Sequence, residues 1–215
     1  MVRETMAFFA EATKLAAYGS AVEEHRRDAG ATRTQPRAAG TKGVGIGYGR
    51  AIGRMILARK LPHARYSILA TAAELDLPAT VHVAIGTDTV HMSPKMDGAA
   101  LGTATLADFH TLCGVVAAMA DDGDGAGGVW CNVGSAVLLP EVFLKAVSVA
   151  RNLGANLDAL TTVNIDMLRH YRPAQNVVGR PVARGHGHDL AGHHEILLPL
   201  LRQAIIERLP SRPHA

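Results

Sequence analysis

Residues 127–154, GGVWCNVGSAVLLPEVFLKAVSVARNLG, constrain the fold of this chain more than any other stretch. A short apolar run, residues 129–133, breaks at a turn of small residues and resumes as a helix. Pro140, Glu141 and Gly154 bracket that helix with the residue types that start and stop one. A strand covered on both faces reads as an unbroken apolar run, so the pattern predicts a strand–turn–helix unit of a parallel sheet. Asn132, Gly134 and Ser135 form the polar, uncluttered turn. In a parallel sheet that turn opens at the carboxyl end of its strand, where backbone N–H groups and the helix dipole favour a phosphate or carboxylate.

With 215 residues, 48% of them hydrophobic, the chain can bury enough surface to offset its conformational entropy in one globular domain. Cys113 and Cys131 lie in apolar runs without metal-type spacing, so both are expected to be reduced, small buried residues of a cytosolic protein. No segment reaches about 18 uninterrupted apolar residues, the length a membrane span needs. Arg3, Glu4, Glu11 and Lys14 interrupt the amino end, which argues against a signal peptide. The expectation is a soluble, cytoplasmic protein without a membrane partner. Net charge is +3, and part of the excess sits in Arg26, Arg27, Arg33 and Arg37. With aromatics at 4% and no basic stripe interleaved with stacking residues, nucleic acid is not an expected partner.

Four regions follow along the chain. Residues 1–27 are an amino-terminal helical segment, with Met6, Phe9, Ala10, Thr13 and Ala17 at helical spacing. Residues 28–44 read as a flexible linker, residues 45–209 as a single α/β domain, and residues 210–215 as a disordered tail. The GVGIGYG glycines lack a preceding strand, so they predict a flexible entry to a helix over residues 50–60 rather than a phosphate loop. A helix over 66–75 leads to a strand over 80–85, TVHVAI. Thr105 and Asp108 resemble a capping box ahead of a helix with Phe109, Leu112 and Val116 in its buried stripe. The DDGDGAGG loop lacks the closing glutamate of a calcium loop and is read as solvated. A strand over 160–165 and a helix over 195–209 complete the order. The class is α/β, a Rossmann-like, mostly parallel sheet flanked by helices. Three strands are fewer than such a sheet usually has, so an open edge or a covering partner chain is expected.

Four segments place polar residues where the sheet would present its ligand side. Thr87, Asp88, His91, Ser93 and Asp97 follow the 80–85 strand; Asn132, Gly134 and Ser135 follow the next. Asn164 and Asp166 end the third, with His170, Tyr171 and Arg172 behind them. An acidic residue just past a strand can hold ribose hydroxyls, and Arg172 or Arg180 can neutralise an acidic ligand. His186, His188, His193, His194 and Glu195 carry metal-ligand chemistry, although HxH and HHE entering a helix make no known closed set, and a polar loop is the plainer reading.

The segments SILATAAELDLPATVHVAIGTD, MDGAALG, GGVWCNVGSAV, RNLGANLDALTTVNID and ILLPLL, in that order, resemble the second half of deoxyhypusine synthase and its bacterial relatives. The resemblance covers residues 67–201. It implies a nicotinamide-binding Rossmann-like sheet, NAD as cofactor, and a chain that begins partway through the family's domain. Cofactor-binding positions carry over to Asp88, Gly98, Asn132, Gly134, Ser135, Asn164 and Asp166, and Asp97 is likewise implied. The family's Trp-Gly-Lys motif, whose lysine takes up the butylamine group, is matched here by NVVGRPV, without lysine or tryptophan. Its acidic polyamine-binding segment is replaced by NIDMLRHYRP, where Arg169, Arg172 and His170 would repel a cation.

The expectation is therefore a divergent family member that binds a nicotinamide nucleotide and acts on a small, anionic substrate, not deoxyhypusine synthesis. His91 is the leading acid–base residue, Asp97 or Asp166 holds ribose, and Arg172 orients substrate. The alternatives are a shortened, non-catalytic relative acting as a binding or assembly subunit, and a metal-dependent hydrolase built on residues 186–195. A homo-oligomer is expected, because an uncovered sheet edge invites pairing.

Overall fold

The computed structural model describes residues 45–121, 125 and 127–209. The amino-terminal helix, the linker, the tail and most of the acidic loop lie outside the described residues. The molecule is α/β, with a three-stranded parallel sheet flanked by helices. Within the span read as one domain, the chain divides into two compact units, Met1–Val115 and Val116–Ala215.

In the first unit, α1 (Tyr48–Ala58) packs against α2 (Ile68–Glu74), and α3 runs over Gly98–Ala117. Tyr48, Ala51, Ile52 and Met55 of α1 pack with Leu101 and Ala104 of α3 as the core. The glycines expected to make a flexible helix entry instead permit close approach. A Cβ on Gly49 would collide with the Ala79 carbonyl, and one on Gly53, a turn later, with that of Leu69. Gly47 takes the left-handed backbone (φ 84°) that starts α1, where a Cβ would meet the Asp108 carboxylate.

Two sequence expectations fail here for one reason. Thr105 and Asp108 do not cap a helix. They lie inside α3, which begins at Gly98 and is capped by Asp97, whose Oδ1 accepts the Ala99 and Ala100 N–H groups at 3.0 and 3.1 Å. Residues 80–85 are not a strand of the sheet; their amides bond to side chains. Asp108 Oδ2 accepts from Val81 and Gly49 (both 2.9 Å), Thr105 Oγ1 from Val83 (3.5 Å), and Asp88 Oδ2 from Ala84 (3.2 Å). One turn of α3 thus does for TVHVAI what a neighbouring strand would have done. Among the described residues, α3 is the one helix long and apolar enough to cross a membrane, but Asp108 at its centre and its packed apolar face mark a core helix.

The second unit holds β1 (Val129–Val133), α4 (Leu138–Asn152), β2 (Thr161–Asp166), α5 (Tyr171–Pro173, continued by a π-helical turn, Ala174–Gly179), β3 (Gly187–Ala191) and α6 (His194–Arg208). The sheet order is β1-β2-β3, all parallel. The strands near residues 129 and 161 agree with the sequence reading. The third lies in GHGHDLAGHH, which reads as a polar loop because its apolar content is only Leu190 and Ala191. Register aligns Trp130, Thr162 and Gly187 in one row on one face. Trp130 stacks on Phe143 of α4 (centroids 4.3 Å apart, planes at 10°), Thr162 Oγ1 donates to the Val177 carbonyl (2.7 Å), and Gly187 admits the Val178 backbone. Helical elements therefore cover this face. The opposite face is barer: Val129, Val133, Leu190 and Cys131 are exposed, which corrects the expectation of two buried cysteines; only Cys113 is buried.

Asp108→Ala should leave three backbone donors without acceptors and lower stability by about 3 kcal/mol in urea unfolding. Burial pushes the His82 pKa below its ordinary value, so the unfolded chain takes up the proton first. The resulting stability is complete above pH 6.5 and is lost as pH falls through the lowered folded value. Burial raises the Asp108 carboxyl against its backbone donors, an effect of opposite sign with pH. The His82 contribution is therefore read as wild type minus His82→Gln, a difference that should shrink on acidification from pH 7.5 to 5.

Candidate functional site

Two residues beyond the covered row, the same sheet face carries a second row: Asn132, Asn164 and Asp189, aligned by register across all three strands. Asn132 Nδ2 donates to Asn164 Oδ1 (2.8 Å) and to the Ser135 carbonyl (2.9 Å). Asn164 Nδ2 donates in turn to Asp189 Oδ1 (2.9 Å), and Arg169 Nε closes the row on Asp189 Oδ2 (3.1 Å). Asn132 and Asn164 are each 2% exposed, so the row lies within the protein. One atom is left over. Asn132 Oδ1 is buried and has no hydrogen-bond partner among the described residues.

The next row forms the rim, with Gly134, Asp166 and Ala191. Gly134 is left-handed (φ 63°), and its N–H donates to the Ile165 carbonyl (3.0 Å). That same carbonyl lies 3.1 Å from His194 Nε2 and can only accept, so the proton sits on Nε2 and the lone pair of the neutral ring on Nδ1. A Cβ on Gly134 would sit 3.4 Å from His194 Cε1, so glycine lets the imidazole lie against the turn. Asp166 Oδ1 accepts from the Met167 N–H (2.7 Å), and its Oδ2 has no protein partner among the described residues. Ser135 Oγ accepts the Leu139 N–H (3.3 Å), which turns its hydroxyl toward the first turn of α4. Two helix amino termini, those of α4 and α6, follow directly on this end of the strands.

Of the residues expected from sequence, Asn132, Gly134, Ser135, Asn164 and Asp166 are brought together here. Arg172 belongs to the same unit but its Nε faces Glu141 Oε1 (3.6 Å), which also accepts from Asn176 Nδ2 (2.8 Å). Asp88, His91, Asp97 and Gly98 belong to the first unit. There Asp97 is a helix cap and Gly98 the first residue of α3. His91 Nδ1 accepts the Gly86 N–H (3.1 Å), and its Nε2 faces Asp88 Oδ2 at 3.7 Å. The Nδ1 bond staples the 86–91 turn, while Nε2 is buried without a hydrogen-bond partner among the described residues. The expected convergence of turns after residues 85, 133 and 165 holds for the latter two, because residues 80–85 are not in the sheet.

Sequence reasoning missed Asp189, read Arg169 only as a charge that would repel a cation, and gave His194 a metal-ligand or polar-loop reading. A signal was present in the repeated polar–apolar–small or acidic triplet, Asn132-Val133-Gly134, Asn164-Ile165-Asp166 and Asp189-Leu190-Ala191, which marks three strands reaching one rim. Among the described residues, no group of three or more His, Cys, Asp and Glu side chains is placed to hold a metal ion. His188 sits on the sheet face opposite Asp189, and β3 separates His186 from the pair at 193–194.

Asn164→Ala removes the centre of the row and leaves Asn132 Nδ2 and Asp189 each short of a partner. Unfolding free energy should fall by about 2–4 kcal/mol in urea titration, more than for an exposed asparagine such as Asn152.

Comparison of the chain with protein-family models, with curated proteins and with solved structures gives no match.

Proposed function

We propose that the rim of the second unit binds a nicotinamide nucleotide, and that the chain is a divergent member of the deoxyhypusine synthase-like family acting on a small, anionic substrate. The observation that carries this reading is the carboxyl end of the parallel sheet, where the Asn132–Asn164–Asp189 row holds the strand ends in register and Asp166 keeps a carboxylate oxygen without a protein partner among the described residues. Asp166 Oδ2 is free to accept ribose hydroxyls, and the turn from Gly134 leads into the amino terminus of α4, where phosphate is favoured. Nicotinamide groups of this kind supply redox chemistry when bound. The chain's part is to hold and orient, with His194 Nδ1 as the proton-accepting atom at the rim.

Deoxyhypusine synthesis itself is not part of the proposal. The second unit lacks the lysine motif, and Arg169 and Arg172 occupy the segment that the resemblance matches to the family's acidic polyamine-binding stretch. The second reading, a non-catalytic relative, draws support from the structural employment of His91 and Asp97.

NADH fluorescence titration tests the proposal. Asp166→Asn keeps the acceptor for Met167 but removes the charge, and should weaken NADH binding about 10-fold, as expected when a charged hydrogen-bond acceptor is lost. His194→Gln should leave binding within a factor of about two while abolishing turnover. Absence of saturable NADH binding by the wild-type chain would sink the proposal and leave the non-catalytic reading.

A further inference from the structure

The first unit holds an open cavity of about 310 Å³, bordered by Arg65, Tyr66, Ser67, Ile68, Ala72 and Leu77. Local chain chemistry shapes it. Beyond α1 and Pro62, a single 3-10 turn over Ala64–Tyr66 brings the chain to Ser67, which caps α2 by accepting the Ala70 N–H on Oγ (3.3 Å). Past α2, Asp76 takes a left-handed backbone (φ 54°) and the Leu77 N–H returns to the Ala72 carbonyl (2.8 Å), so Leu77 folds back as a wall. Ala70 and Ala72 are buried where α2 packs on α1, which leaves the larger side chains of this corner outside.

The lining combines apolar walls with hydrogen-bond donors. Tyr66, Ile68 and Leu77 are 70%, 84% and 54% exposed although they border a concavity, so an occupant would shield apolar surface that now meets water. The Arg65 guanidinium lies over the Tyr66 ring (4.6 Å to the centroid), and Nη2 donates to the Tyr66 hydroxyl. Stacking fixes the cation at the cavity without neutralising it: Arg65 has no acidic partner among the described residues, and no acidic side chain lines the cavity. Ser67 Oγ accepts from Ala70, so its hydroxyl hydrogen is left to donate.

We propose that this cavity binds a small organic carboxylate, with an aromatic or branched aliphatic body against Tyr66, Ile68 and Leu77 and its charge on Arg65. One exposed guanidinium matches one negative charge, and apolar walls disfavour a strongly hydrated polyanion. A volume near 310 Å³ stands at the small end of ligand sites, which suits an acid of about ten heavy atoms and is too small for a dinucleotide. A lipid surface also combines apolar and anionic groups, but it takes up protruding side chains, whereas a recess between them takes up a discrete molecule. The proposal is independent of the nucleotide reading of the second unit.

Calorimetric titration of the full chain at low salt, with hydrocinnamate and with its neutral counterpart hydrocinnamyl alcohol, tests both the walls and the charge. The acid should saturate one site per chain at millimolar concentration, the affinity expected of a ligand of about ten heavy atoms. The alcohol should bind about five-fold more weakly, and Arg65→Gln should weaken the acid by about the same factor while leaving the alcohol unchanged, the effect of an exposed ion pair. Ile68→Glu, on the apolar wall, should weaken both ligands. Absence of saturable acid binding, equal affinity of wild type and Arg65→Gln for the acid, or an alcohol that binds as tightly as the acid would each overturn the proposal. Co-sedimentation with phosphatidylglycerol vesicles in place of saturable acid binding would overturn it in favour of a lipid surface, whatever NADH titration shows for the rim.

Discussion

A carboxamide in the middle of a parallel sheet is expensive unless both its donor and its acceptor are met, and the second unit meets most of this requirement by setting two carboxamides and a carboxylate side by side, leaving Asn132 Oδ1 unmatched among the described residues. Parallel register puts Asn132, Asn164 and Asp189 opposite one another, so each short polar side chain reaches the next without bending a strand. The arrangement is strongly coupled. Removing any member strands its neighbours in a low-dielectric setting, so the row specifies register as well as adding stability. The way the three strands end also sets the Asp166 carboxylate and the His194 ring at one rim, above the unmatched Asn132 oxygen.

The first unit solves a related problem with the roles of backbone and side chain exchanged. Here Asp108 and Thr105, on successive turns of α3, supply acceptors to the amides of Val81 and Val83, and Asp108 also reaches Gly49 at the start of α1. A buried carboxylate opposed by three backbone donors holds a helix terminus and a chain segment together at one point. Burial still raises its pKa, because the donors only partly replace the water that it loses. This explains how a segment with strand composition remains outside the sheet: its hydrogen bonds are already made.

Local pattern made much of the second unit readable. The apolar run at 129–133, the Pro-Glu start and Gly154 stop of α4, and the strand near 161 all depend on neighbours within a few residues, where periodicity and capping chemistry act directly. The site residues on those two strands were readable for the same reason, because polar residues at the end of an apolar run stand at the rim. Two errors mark the limit. TVHVAI has the stronger strand composition and GHDLA the weaker, yet only GHDLA pairs in the sheet. The spacing of Thr105 and Asp108 reads as a local cap, yet the partners of Asp108 lie 27 and 59 residues away.

By itself, the sequence determined which segments could be helix or strand, and that polar chemistry would collect where apolar runs end, since both follow from short-range sterics and from the cost of burying unpaired polar atoms. Tertiary structure decided which candidate strand entered the sheet, that Asn132 and Asn164 would find Asp189, and that His194 rather than His91 would stand at the rim. Those outcomes turn on hydrogen-bond partners distant in sequence, and only the packed chain brings such groups within 3 Å of one another.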